Sequence, residues 1–105
     1  MNVKMTVSAL ITAGLLLGAT QASALDGAQL YKTKTCFSCH GKDANTPILP
    51  IYPKLAGHNA AYAAQQMKDI NSGARANGMS AAMKGVMHLV NDEEIQAIAD
   101  WMATL

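Results

Sequence analysis

Apolar residues that follow Leu25 recur at the spacing of helices, and no stretch alternates in the way typical of strands. The first predicted helix begins after Asp26, whose carboxylate is a suitable N-cap, and Ala28, Tyr31 and Thr35 share one face of it. We expect this helix to continue into the cysteine-containing segment and to place both cysteines on one side.

A second helix is predicted from Asn59 or Ala60 to Asn71, with Asn59 as a candidate cap and Gly73 as its end. The segment 74–80 that follows contains glycine, asparagine and Arg75, and we expect it to form a turn.

The last predicted helix opens at Asn91 or Asp92, with acidic side chains in its first turn, where the helix dipole stabilises negative charge. Its apolar face consists of Ile95, Ile98, Trp101, Met102 and Leu105. We expect Trp101 to pack against the first helix near Gly27 and Tyr31. This contact would bring the two ends of the domain together.

The first 24 residues have the features of a secretory signal peptide. Lys4 precedes an uncharged run from Met5 to Leu25, and the run closes with the small-residue pattern Ala22-Ser23-Ala24. We expect cleavage after Ala24, which leaves residues 25–105 as one domain of about 80 residues. An uncleaved membrane anchor is the alternative, but polar residues interrupt the run and its apolar centre is shorter than the roughly 20 residues of a span.

Charge excludes one class of partner. Without Lys4, seven basic side chains balance seven acidic ones. The chain therefore has no basic excess of the kind that indicates binding to nucleic acid or to an anionic membrane.

The segment Cys36-Phe37-Ser38-Cys39-His40 contains the candidate chemistry of the chain. Its C-x-x-C-H spacing is that of c-type haem attachment, in which two thiols add to the haem vinyl groups and the histidine binds the iron. A zinc site would need further ligands of the usual cysteine-rich kind, and these are the only two cysteines. A thioredoxin-type disulfide would normally follow a strand, and no strand is predicted.

The segment 41–57 is predicted to be a stiff apolar loop. It holds all three prolines, which disfavour helix, yet it also contains several large apolar residues. A loop of this kind is suited to covering a haem ring. The carbonyl of Pro47 or Pro50 is a candidate acceptor for the nitrogen of His40 that does not bind iron, and the sequence does not decide between them.

Three methionines lie four residues apart, at positions 79, 83 and 87. Such a stripe is what a buried helical face looks like, and methionine is an ordinary core residue. A haem with one histidine, however, needs a group on its other face, and a thioether is a suitable ligand that raises the reduction potential. Both readings stay open for each methionine.

Taken in this order, these motifs resemble those of class I c-type cytochromes, of the small bacterial monohaem kind, and also one half of the dihaem bacterial cytochromes. The resemblance covers residues 26–105. It rests on Cys36-x-x-Cys39-His40-Gly41, Tyr52-Pro53-Lys54-Leu55-Ala56-Gly57, Tyr62-x-x-x-Gln66, Gly73-x-Arg75, Met83 and Asp92-x-x-Ile95-x-x-Ile98-x-x-Trp101.

The resemblance implies an all-α cytochrome c fold, with three to five helices around one haem c bound covalently to Cys36 and Cys39. His40 would be one axial ligand of the iron. In relatives the methionine ligand lies about eight residues before the polar residue that opens the last helix, which indicates Met83, with Met79 and Met87 as alternatives.

Three further residues are candidates for contact with the haem or its iron. Arg75 is expected either to contact a haem propionate or to lie exposed in its turn. His58 and His88 depart from the pattern of relatives, and either is an alternative second histidine ligand, although an exposed or hydrogen-bonded histidine is the commoner fate.

The implied function is that of a periplasmic one-electron carrier, not an enzyme. Its partners would be redox proteins of unknown identity, with no nucleic acid and no membrane association after signal cleavage. A subunit of a larger oxidoreductase is one alternative. A haem sensor or catalytic subunit with an open sixth iron site is another.

Overall fold

The computed structural model describes residues 25–105, and this part of the chain forms five α-helices and contains no strand. The helices are α1 (Gly27–Thr33), α2 (Phe37–His40), α3 (Ala60–Ser72), α4 (Ser80–Met87) and α5 (Asp92–Met102). The predicted all-α fold is confirmed. The predicted signal peptide and the alternative membrane anchor lie outside the described residues.

Helix α3 begins and ends, and helix α5 begins, where the capping residues predict. The side chain of Asn59 accepts a hydrogen bond from the Tyr62 backbone nitrogen at 3.0 Å, and Gly73 ends α3 with a left-handed φ of 92°. At the start of α5, Asn91 and Glu94 form a reciprocal capping box between side chains and backbone nitrogens. Asn91, and not Asp92, is therefore the cap of the last helix.

The prediction that the first helix continues into the cysteines was wrong. Helix α1 ends at Thr33, with Lys34 as its C-cap, and Thr35 adopts a left-handed φ of 67°. A left-handed residue cannot continue a right-handed helix, so the cysteines belong to a separate short turn of helix. The backbone nitrogen of Cys36 still bonds the carbonyl of Tyr31 at 3.1 Å, which ties that turn to α1.

Helix α5 packs against both α1 and α3, and α4 packs against α3. Gly27 allows the closest approach, because a Cβ atom there would lie 2.7 Å from the Cβ of Trp101. The rings of Tyr31 and Trp101 contact each other with centroids 4.9 Å apart, as predicted. The core lies between these helices, and its largest fully buried side chains are Tyr31, Ile95 and Ile98.

Within residues 25–105, no helix is both long enough and apolar enough to cross a bilayer.

Candidate functional site

Cys36 and Cys39 lie on a single turn of helix. The backbone nitrogens of Cys39 and His40 both bond the carbonyl of Cys36, at 3.3 and 3.1 Å, so the two thiols share one side of that turn. Both cysteines are half-buried and neither forms a disulfide. Burial raises the pKa of the Cys36 thiol to about 11, and the nearby Cys39 contributes in the same direction.

His40 is held in one orientation. Its residue is only 7% exposed, and its Nδ1 lies 2.9 Å from the carbonyl oxygen of Pro53. A carbonyl can only accept, so Nδ1 carries the proton and donates it. Burial lowers the pKa of the imidazole, opposed in part by the Pro53 hydrogen bond, and favours the neutral ring. Within residues 25–105, no protein group bonds the other nitrogen, Nε2, whose lone pair is free for a metal.

This hydrogen bond corrects the expectation for the loop. Pro47 and Pro50 were the predicted acceptors, and the acceptor is instead the third proline, Pro53. The chain path explains the difference. The backbone nitrogen of Ile48 bonds the carbonyl of Cys39 at 3.1 Å, so the loop leaves the cysteine turn there and comes back to His40 only at residue 53.

The residue after His40 joins three parts of the chain. Gly41 has φ of 90°, and a Cβ atom there would lie 2.8 Å from the carbonyl carbon of Thr46, so a larger residue does not fit. Its carbonyl oxygen accepts hydrogen bonds from the Tyr31 hydroxyl and from the Ala44 nitrogen. The Ala44 carbonyl in turn accepts from Leu55, at 2.7 Å, and from the residue after it. The Tyr31 hydroxyl and two backbone hydrogen bonds at Ala44 therefore connect α1 to the segment that carries the Pro53 carbonyl.

Asp43 fixes the first bend of the same loop. Its carboxylate accepts hydrogen bonds from the backbone nitrogens of Asn45 and Thr46, each at 2.9 Å, and from the Thr46 hydroxyl at 3.0 Å. These bonds lower the pKa of the Asp43 carboxyl, with the Asn45 contribution the largest. The loop that delivers Pro53 is thus ordered by its own polar groups.

The residues around this site fit a haem. A neutral imidazole offers one free nitrogen, and two thiols lie on the adjacent turn, which is the donor set that a c-type haem requires. Ile48 and Ile51 are 61% and 62% exposed, and Phe37 and Leu49, in the cysteine turn and the same loop, are also exposed. Of these side chains, Phe37 and Ile48 line one open cavity beside the cysteine turn, so apolar surface is available next to the two thiols.

The three methionines fall into three environments. Met87 is 3% exposed and belongs to the core, and Met83 is half-buried and packs against that core. Met79 is 45% exposed and lies before α4 as its N-cap, so it does not continue the buried stripe. Of the three, only Met83 lies in a helix with its side chain neither exposed nor enclosed by the core.

Arg75 and the two additional histidines lie in polar surroundings. Arg75 is half-buried, not fully exposed, and donates from a guanidinium nitrogen to Gln66 Oε1 at 3.0 Å. His58 is exposed, hydrogen-bonds the Lys54 carbonyl at 3.2 Å through Nε2 and lies against the ring of Tyr62. His88 is exposed at the end of α4.

Sequence reasoning missed two members of the site. Pro53 was counted among the prolines, but no local signal separates its carbonyl from those of the other two. Tyr31 was predicted only to lie on one face of the first helix near Trp101, and its hydroxyl donates a hydrogen bond to the carbonyl of Gly41. The signal for Tyr31 was chemical, because a buried tyrosine hydroxyl requires a partner.

Comparison with known proteins identifies the family. The family model described as Cytochrome c matches residues 24–105. Cytochrome c4 of Pseudomonas aeruginosa is 37% identical over 101 residues, which are 96% of this chain and 48% of that protein. The thiosulfate dehydrogenase electron acceptor of Stutzerimonas stutzeri is 37% identical over 91 residues, 80% of this chain and 41% of that protein. Cytochrome c-553 of Nitratidesulfovibrio vulgaris is 33% identical over 95 residues, 90% of this chain and 91% of that protein.

This chain therefore spans about half the length of the first two relatives and nearly the whole of the third. Proteins of this family carry covalently attached haem c and are electron carriers, not enzymes. Cys36 and Cys39 fit the attachment motif, and the predicted resemblance to class I c-type cytochromes is confirmed. The chain belongs to the cytochrome c family, and its cofactor is haem c.

Proposed function

We propose that this chain is a periplasmic one-electron carrier in which Cys36 and Cys39 hold haem c and His40 and Met83 are the axial ligands of the iron. The observation that carries the proposal is the hydrogen bond between His40 Nδ1 and the Pro53 carbonyl at 2.9 Å. It fixes the tautomer that leaves Nε2 available, and a partner of this kind also raises the basicity of a ligand histidine.

Met83 is proposed over its two neighbours because of burial. Met87 already fills the core at 3% exposure, and moving its side chain out would leave a cavity there. Met79 is a weaker candidate because it precedes α4, whereas Met83 is held by a turn of that helix. A helical position fixes a ligand more precisely than a loop position does.

When bound, haem iron supplies the ferric and ferrous states between which one electron moves. The residues of this chain set the conditions for that exchange. His40 is held neutral and in a single orientation, so it does not need to turn when the charge on the metal changes. As a second iron ligand, the Met83 thioether would favour the reduced state and exclude exogenous ligands.

Arg75 is proposed to contact a haem propionate. Its guanidinium is half-buried and is steadied by Gln66 from α3, which leaves further donors of the guanidinium free for a carboxylate. The electron is proposed to leave through the haem edge near the cysteines. Candidates for the docking rim there are Phe37, Ser38, Ile48, Leu49 and Ile51.

Export and partners are proposed on two grounds. The pattern of Lys4, the uncharged run and Ala22-Ser23-Ala24 supports secretion and cleavage after Ala24. The relative named a thiosulfate dehydrogenase electron acceptor supports a dehydrogenase as the class of electron donor, although this chain spans only 41% of that protein. A permanent subunit of such an enzyme would use the same chemistry, and isolation of a stable complex distinguishes it from a free carrier.

Single replacement of the methionines by leucine tests the ligand set. We expect Met83→Leu to abolish the sulfur-to-iron charge-transfer band of the ferric protein and to let the ferrous protein bind carbon monoxide. Met79→Leu and Met87→Leu serve as matched controls that keep the band. Loss of the band in Met79→Leu alone would reassign the ligand, and rapid carbon monoxide binding by the unmodified ferrous protein would favour a sensor with an open iron site.

A further inference from the structure

The connection between α3 and α4 contains an asparagine followed by a glycine. We propose that Asn77 is a site of spontaneous deamidation, in which the backbone nitrogen of Gly78 attacks the side-chain carbonyl carbon of Asn77. The new bond between that nitrogen and carbon closes a five-membered imide, the bond to the side-chain nitrogen breaks, and ammonia leaves with the proton from Gly78. Water then opens the imide at either carbonyl and gives aspartate or isoaspartate at position 77. No oxidant or reductant takes part.

The sequence singles out this position. Of the asparagines in residues 25–105, only Asn77 is followed by glycine. A glycine has no side chain to obstruct ring closure, and its backbone reaches conformations that other residues avoid.

The reacting groups of Asn77 and Gly78 are exposed to solvent and take part in no hydrogen bond with the part of the chain that the structure describes. Both Asn77 and Gly78 are exposed and non-helical, and a Cβ atom added at Gly78 would meet nothing within 4 Å. Among the hydrogen bonds of residues 25–105, none engages the Gly78 nitrogen or the Asn77 side chain. The attacking nitrogen and the side-chain carbon that it attacks are therefore both free to move. The backbone carbonyl of Asn77 accepts a hydrogen bond from the Ser80 nitrogen at 3.0 Å.

The N-capping asparagines are protected by their hydrogen bonds. Asn59 and Asn91 are N-caps, and their side-chain oxygens hold the nitrogens of Tyr62 and Glu94 at 3.0 and 2.8 Å. Each side-chain amide is thus restrained by a hydrogen bond that ring closure would have to break.

The two remaining asparagines are protected by different means. The nucleophile that would attack Asn45 is the Thr46 nitrogen, and it is bonded to Asp43 at 2.9 Å. Asn71 lies inside α3, with its Oδ1 buried, so its backbone cannot fold into a ring without opening the helix.

The modification would change the charge beside α4. It replaces a neutral amide by a carboxylate two residues before Met79, the N-cap of that helix, and negative charge there is stabilised by the helix dipole. The isoaspartate product also adds one methylene to the backbone of the connection 73–79. The deamidation itself does not depend on which methionine binds iron.

Tryptic digestion provides the test, because cleavage after each lysine and arginine puts every asparagine of residues 25–105 in a different peptide. The holoprotein is incubated at neutral and at mildly alkaline pH and then digested. We expect the peptide 76–84 to gain the mass of one deamidation and to resolve into two new species, at a rate near that of the same free peptide. The peptides that contain Asn45, Asn59, Asn71 and Asn91 are expected to change more slowly.

Two variants complete the design. Gly78→Ala is expected to slow the modification several-fold by crowding the ring, and Asn77→Gln is expected to remove it while keeping an amide. The proposal would be overturned if the folded protein protected the peptide 76–84 strongly relative to the free peptide. It would also be overturned if another asparagine reacted as fast, or if Gly78→Ala left the rate unchanged.

Discussion

The contact between α1 and α5 depends on the absence of a side chain at Gly27, and Gly27→Ala tests how tightly that contact is built. The added Cβ atom would lie 2.7 Å from the Cβ of Trp101 and would collide with the Ala97 carbonyl. Neither obstacle is the end of a flexible side chain, so the two helices must move apart. Overpacking of this kind costs about 1–3 kcal/mol of the free energy of unfolding.

Helix propensity offsets part of that cost, since alanine is favoured over glycine in a helix interior by about 1 kcal/mol. Gly27 is the first residue of α1, where the propensity difference between alanine and glycine is smaller. We therefore expect a net loss of about 1–2 kcal/mol in Gly27→Ala. The loss would include disturbance of the ring contact between Tyr31 and Trp101.

Gly85 supplies the matched control, because it lies inside α4 and a Cβ atom there meets nothing within 4 Å. The same chemical change, Gly85→Ala, is expected to stabilise the protein by about 0.5–1 kcal/mol. The assay is unfolding of the holoprotein by guanidinium chloride, followed by far-ultraviolet circular dichroism. The transition midpoint should fall for the first variant and rise for the second, with the slope unchanged. If Gly27→Ala were as stable as the parent, the close helix contact would be refuted.

Three further predictions concern two local contacts and the attachment of haem. Tyr31→Phe keeps the ring but removes the hydrogen bond to Gly41, and it should cost about 1 kcal/mol at neutral pH in denaturant unfolding. Burial raises the pKa of the Tyr31 hydroxyl above its ordinary 10.0, so the parent's advantage should hold below pH 10 and shrink as the pH rises further. Asn91→Ala should cost about 1 kcal/mol in thermal melts, because it removes the cap of α5. Glu94→Gln should cost well under that, because glutamine still accepts a hydrogen bond from the Asn91 nitrogen. The ion pair that it removes, between Glu94 and Lys34 at 3.6 Å, is partly exposed and therefore weak. Cys39→Ala, or protein without haem, should be largely unfolded by circular dichroism, since so small a domain needs a further constraint.

Each of these has an outcome that contradicts it. An advantage over Tyr31→Phe that grew above pH 10 would show that the hydroxyl ionises readily in the folded state. A loss in Glu94→Gln as large as that in Asn91→Ala would show that the charge of Glu94 contributes as much as the Asn91 cap. Full, cooperative helix in protein without haem would show that the polypeptide core is sufficient.

The bounds of α3 and the start of α5 could be predicted because the signals that set them are local. An asparagine side chain reaches a backbone nitrogen only three residues away, and glycine is the residue that best adopts the left-handed end of a helix. Leu105, expected on the apolar face of the last helix, instead lies beyond its end at Met102 and is exposed. The end of α1 could not be predicted in this way. Thr35 adopts a positive φ without the glycine that usually marks one, and it does so where the cysteine turn is bonded back to Tyr31.

In the candidate site, too, the residues set by local spacing could be predicted and those set by the path of the chain could not. The attachment motif and His40 follow from spacing alone, whereas the partner of His40 depends on the path of a loop between residues 41 and 53. That path is set by Gly41 and by Ala44, which is fully buried with a φ of 58°. Neither the close fit at Gly41 nor the left-handed alanine has a signature in the order of residues, so the choice among three prolines needed the structure.

The site combines an ordered polar side with an uncovered apolar side. Hydrogen bonds to backbone carbonyls already fix the His40 ring and the loop behind it. The apolar side chains of Ile48 and Ile51 have no such partners and remain exposed. Haem attachment would bury apolar surface at about 25 cal/mol for each Å² removed from water, whereas the orientation of His40 would need little change. Cofactor binding would thus contribute much of the stability of the fold. Within the folded protein, the hydrogen bond to Pro53 would set the orientation of His40.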